Sequence, residues 1–211
     1  MNPTQAPPIL RIESLGFAYP GQPALVDDWS ACIGAGATLL FGDTGTGKST
    51  LLRLMAGMQA GGTGRLSLAG VDLSDDPAGY ARQVFFVDPA SHAHDQVKAS
   101  DCLGPAAASS EPARRALIEG FALAPHLDKP MYMLSTGSKR KVWLAAALAA
   151  PRPLTLLDEP TGGLDAASIR CLWQAVAELA RKPDRAVVVA SAERLDRIDL
   201  AATIELPLAA A

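Results

Sequence analysis

The sequence predicts an α/β fold with a mainly parallel sheet. Short apolar runs at residues 38–41, 84–87, 154–157 and 186–190 alternate with longer segments of helical spacing, the pattern of strands joined by helical crossovers. A glycine-rich loop stands between the first run and a helix, where a phosphate-binding turn belongs. Hydrophobic residues make up 49% of the 211, enough for one domain with a sizeable core.

Residues 9–15 alternate apolar and polar side chains and predict an edge strand; residues 25–33 predict a second of the same kind. Residues 48–56 carry Leu51, Leu52, Leu54 and Met55 at helical spacing, and 65–69 alternate again. Val84 to Val87 is wholly apolar, as a buried parallel strand requires. Between 88 and 134 the chain turns rich in Ala, Ser, His and Pro, with one helix-like segment from Pro112 to about Ala122. This is read as a small helical insertion, dividing a single domain into 9–87, 88–134 and 135–211. Beyond it, helices over 138–150 and 166–180 flank the strand at 154–157. Strands at 186–190 and near 203–206 complete the core.

The net charge of −3 argues against a general nucleic-acid binder, which carries a strong basic excess. Three scattered cysteines give neither a disulfide framework nor a zinc spacing, so a reducing compartment is expected. No signal peptide is visible near Met1. The longest apolar run, Val142 to Ala150, is far short of the roughly 20 residues of a membrane span. The expected chain is soluble, and any membrane role comes through a partner.

Gly42, Asp43, Thr44, Gly45, Thr46, Gly47, Lys48, Ser49 and Thr50 fit the pattern G-x-x-x-x-G-K-[ST]. The glycines let successive backbone N–H groups turn inward around phosphate oxygens, and the next helix adds its positive N-terminal end. Lys48 is placed to reach the β- and γ-phosphates and Ser49 to ligate Mg²⁺. The strand at 154–157 ends in Asp158 and Glu159. Asp158 is placed to help hold Mg²⁺ and Glu159 to accept a proton from attacking water. Ser135 and Gly137 lead into the helix at 138 and form an anion site or an ordinary helix cap.

These three elements, in this order, resemble the nucleotide-binding subunit of the ATP-binding-cassette (ABC) family over about residues 9–206. The resemblance implies a P-loop core, an antiparallel β edge and a helical subdomain. It also implies a head-to-tail homodimer or heterodimer with ATP between the loop of one subunit and Ser135 and Gly137 of the other. Tyr19 matches the family's adenine-stacking aromatic. Thr161 to Asp165 resembles its inter-subunit loop, with Asp165 as the matching acid. A separate transmembrane subunit is expected near residues 88–96, leaving the chain cytoplasmic and peripheral on the inner face of the membrane. The lack of a domain after Leu206 leans towards an exporter or a small specialised system.

Four positions depart from the family pattern. Thr136 and Ser138 replace Gly and Gln, Asp88 replaces a Gln that touches Mg²⁺, and Ser191 replaces a γ-phosphate-sensing His. A carboxylate at Asp88 can still ligate Mg²⁺. The two altered sensors motivate a second reading, a nucleotide-binding regulatory module with little turnover. His92, His94 and Asp95 read as a polar loop facing a partner, and Lys139, Arg140 and Lys141 as the solvated start of a helix.

Overall fold

A computed structural model describes residues 7–87, 94–104 and 111–208. Asp88 and His92 lie outside the described residues. Chain order gives β1 (Leu10–Ala18), β2 (Ala24–Ile33), β3 (Gly36–Phe41), α1 (Lys48–Met55), β4 (Thr63–Leu68), β5 (Val71–Asp72), α2 (Pro77–Gln83) and β6 (Val84–Val87). There follow α3 (Ala99–Cys102), α4 (Glu111–Gly120), α5 (Thr136–Ala149), β7 (Leu154–Asp158), α6 (Ala166–Ala180), β8 (Ala186–Ser191) and β9 (Leu200–Glu205), with short 3₁₀ turns at Ala124–His126 and Met131–Met133.

The strands form two sheets. One is antiparallel in the order β2-β1-β4-β5; the other is parallel in the order β6-β7-β8-β3-β9. Side chains alternate across a strand, so successive residues feed opposite cores. Leu154, Leu156, Val188 and Ala190 pack with α1 and the antiparallel sheet. Leu157, Val187 and Val189 pack with Leu117, Leu144, Leu172 and Val176 on the other face. The central strands are therefore buried along their whole length and mostly apolar, because neither face meets water. Thr155 is the polar exception within β7, and Asp158 and Ser191 close β7 and β8.

Three expectations are corrected. β1 is an interior strand, paired with both β2 and β4. Its polar alternation reflects one solvated face rather than an edge, and Ser14, at φ +49°, sits at a break in register with both neighbours. β6, read as buried, is an end strand of the parallel sheet, and Phe85 and Phe86 are only half-buried. The last strand begins three residues before the expected start, at Leu200.

Short elements gave no periodicity to read. α2 starts where the Asp76 carboxylate accepts the Gly79 N–H at 2.7 Å and Pro77 opens the first turn. It buries Tyr80, whose hydroxyl donates to the Met55 carbonyl at 2.7 Å and ties α2 to the end of α1. Burial pushes the Tyr80 phenol pKa upward, which keeps it a donor. Replacing Tyr80 with Phe leaves that carbonyl without its side-chain donor. We expect urea denaturation to show a loss of about 1–2 kcal/mol.

Candidate functional site

The loop after β3 owes its shape to two glycines. Gly45 (φ +86°) and Gly47 (φ +94°) hold left-handed backbone that other residues adopt only at a cost. A Cβ on Gly47 would also lie 2.1 Å from Leu25 Cδ1, so β2 presses directly on the loop. Gly47 opens α1 without a side-chain cap, leaving the first N–H groups of that helix without a capping side chain. Such an end favours an anion.

The Lys48 ammonium folds back over the loop. It donates to the Gly42 carbonyl at 2.7 Å and the Asp43 carbonyl at 3.0 Å, and lies 3.4 Å from Glu159 Oε1. The lysine is only 6% exposed, so these partners offset the loss of water. Glu159 follows β7 at φ +41°, a strained conformation for a non-glycine residue. Its N–H donates to Ala190, and its Oε1 accepts the Ala192 N–H at 2.9 Å. The predicted base and lysine thus meet at the carboxyl ends of β3, β7 and β8, the end at which open parallel sheets bind ligands.

Asp158 closes β7 with its side chain buried, and its Oδ1 has no hydrogen-bond partner among the described residues. A buried carboxylate oxygen left unpaired is costly and suits a cation. Ser49, at the start of α1, adds a hydroxyl. These oxygen donors fit Mg²⁺, with phosphate and water supplying the remaining ligands.

Ser191 ends β8 and is buried; its Oγ accepts the Glu193 N–H at 3.0 Å. Its carbonyl accepts the Gly42 N–H at 3.3 Å, joining the loop to β8. Tyr19 follows the end of β1, partly exposed, with its ring edge-on to Phe17 at 4.9 Å. Its hydroxyl and that of Thr50 are 3.0 Å apart. Asp43 and Thr44 are exposed at the crest of the loop, and the Thr46 hydroxyl donates to the Asp43 carbonyl.

Ser135 and Gly137 stand at the start of α5 rather than in the loop cluster. Ser135 Oγ accepts the Ser138 N–H at 3.1 Å, an ordinary cap in this free chain. A Cβ on Gly137 would lie 2.8 Å from the Gly163 carbonyl, so the helix start packs closely on residues 161–165.

Sequence reasoning missed how the basic run is used. Lys139 pairs with Asp95 at 2.7 Å. Arg140 donates to the Gly162 carbonyl and, at 3.3 Å, to that of Glu159. Lys141 pairs with Asp165. Three consecutive helical residues point in different directions, so their spacing carried no signal. His94, near Asp95, lies against Trp143 at 5.1 Å. Among the described residues, no group of three His, Cys, Asp or Glu side chains is placed to hold a metal.

Asp165 caps α6 by accepting the Ser168 N–H at 2.8 Å. Its contact with Lys141, then the Ser168 bonds, hold its carboxyl well below the ordinary 3.8. A depressed folded-state pKa contributes stability above the unfolded value and loses it as pH falls through the folded one. Asp165→Asn keeps a capping residue but no titrating carboxyl. Acid denaturation of this variant will therefore show a shallower stability loss below about pH 4 than the wild type.

A family model described as ABC transporter matches residues 26–162. The chain is 40% identical over 154 residues to a cytochrome c biogenesis ATP-binding export protein CcmA of Paramagnetospirillum magneticum, covering 68% of this chain and 69% of that one. It is 36% identical over 178 residues to a cobalt import ATP-binding protein CbiO of Rhodobacter capsulatus, covering 76% of this chain and 61% of the relative. Against a solved structure titled as the ATP-binding subunit of an ABC transporter, the TM-score is 0.76 at 24% identity, covering 87% and 79% of the two chains. A putative ABC transporter ATP-binding protein from Pyrococcus furiosus gives 0.73 at 22% identity, covering 93% and 96%. The loop, the paired carboxylates and these matches agree: the chain belongs to the ABC transporter family, as a nucleotide-binding subunit of the P-loop class.

Proposed function

We propose that this chain binds and hydrolyses Mg-ATP between two head-to-tail subunits and uses the cycle to drive a separate transmembrane partner. The observation that carries this reading is the convergence of Lys48, the Gly42 and Asp43 carbonyls and Glu159 at one end of the parallel sheet. An ammonium held by carbonyl oxygens and a carboxylate is poised to exchange them for phosphate oxygens, which are better charged partners.

Gly42 to Ser49 wrap the phosphates, Thr50 supports the loop from α1, and Tyr19 offers an aromatic face to adenine. Ser49 and Asp158, with Asp88 as a further candidate, hold Mg²⁺, which when bound neutralises phosphate charge. Glu159 accepts a proton from the attacking water. Ser135, Gly137 and Asp165 of the opposite subunit complete the site; within each chain their helix start and loop are tied through Arg140 to the Glu159 carbonyl of that same chain.

A groove of about 680 Å³ lies beside β6, lined by Phe85, Phe86, Val97, Trp143 and Arg152 among others. It is the proposed seat of the membrane subunit, which would place the chain on the inner membrane face. No helix among the described residues is long and apolar enough to cross a membrane. The relatives' names include both an export and an import protein, so neither substrate nor direction is assigned.

One observation favours a second reading, a regulatory module with slow turnover. The Ser191 hydroxyl already accepts a hydrogen bond within its own turn, and it lacks the reach of an imidazole. Hydrolysis by the purified chain, with Glu159→Gln as reference, separates the two. We expect Glu159→Gln to lower turnover about 10²-fold or more while ATP binding persists. Wild-type turnover equal to that of Glu159→Gln, with ATP bound, would favour the regulatory reading.

A further inference from the structure

We propose that Arg194 is a positioning residue for Glu159, acting through the turn that carries the Ala192 amide. The inference rests on the reading of Glu159 as the base that activates water. Among the described residues, Oε1 of Glu159 meets the Lys48 ammonium at 3.4 Å and the Ala192 N–H at 2.9 Å. When Lys48 turns to phosphate, the Ala192 amide is the hold on Oε1 that remains among the described residues. The placement of that amide then decides where the carboxylate points.

Ala192 begins a turn that leaves β8. The turn is closed internally by the Glu193 N–H donating to Ser191 Oγ. It is tied externally by Arg194, whose guanidinium lies 4.5 Å over the Phe41 ring and whose Nη2 is 2.8 Å from Glu205 Oε1. Phe41 and Glu205 are register partners at the ends of β3 and β9. Arg194 therefore fastens the turn to the strand that leads into the phosphate loop. A cation over an aromatic face and an ion pair at its edge fix a guanidinium better than either contact alone. Both charged side chains are more than half exposed, so the clamp adds little to global stability and acts locally.

The test uses the whole 211-residue chain in three forms: wild type, Arg194→Ala and Arg194→Lys. Amide exchange read by NMR reports the turn directly, without depending on turnover. In Arg194→Ala, exchange at Ala192 and Glu193 is expected to rise about tenfold while Val188 in β8 is unchanged. Turnover is expected to fall about tenfold in kcat with KM and Tm unchanged, since a small misplacement of a reacting group costs rate before binding. Arg194→Lys keeps a cation for Phe41 and Glu205 but loses the planar stack, and is expected to restore part of both. Unchanged exchange at Ala192, unchanged kcat despite faster exchange, a rise in KM instead of a fall in kcat, or no rescue by lysine would each overturn the proposal. Glu159→Gln run alongside separates the two ideas. If it leaves turnover intact, the reading of Glu159 fails, while the exchange measurement still reports on the clamp.

Discussion

The buried ammonium of Lys48 holds the chemistry of this molecule in one place. It joins the two carbonyls after β3 to the carboxylate after β7, and that carboxylate takes the amide after β8. Three strand ends are thereby linked through one cation and one anion. A lysine this far from water requires such partners, and the loop glycines allow their carbonyls to face it. The strained backbone at Glu159 fits the same constraint, because it lies where the carboxylate must point at the loop.

A second set of charges couples this centre to the start of α5. Arg140 reaches the Glu159 and Gly162 carbonyls, and Lys141 holds Asp165, which caps α6. The residues expected to meet the opposite subunit's nucleotide are thus mechanically continuous with the candidate base. Movement of the 161–165 loop would be felt at Glu159 through one guanidinium, which in the proposed dimer would couple the two sites.

The parallel core was legible because strands buried on both faces leave near-continuous apolar runs, as in residues 186–190 and, with Thr155 as the one polar residue, 154–157. The phosphate loop was legible because its glycines and lysine are needed at fixed spacing. β1 was misread as an edge because alternation reports one wet face and says nothing about pairing partners. α2 and α3 escaped notice because seven and four residues are too few to show a helical period. The roles of Arg140, Lys141 and the Ala192 amide were hidden for another reason. Each bonds to groups distant in sequence, one of them through its backbone alone, and local patterns do not encode such contacts.

The most direct test of this account is calorimetric titration of the free chain with ATP, with and without Mg²⁺, in wild type and Lys48→Ala. The account predicts Mg²⁺-dependent binding by the wild type. It predicts at least about tenfold weaker binding by Lys48→Ala, the loss expected for one charged phosphate contact. Equal affinity in the two proteins would contradict it, because the cation at the centre of the site would then take no part in holding the nucleotide.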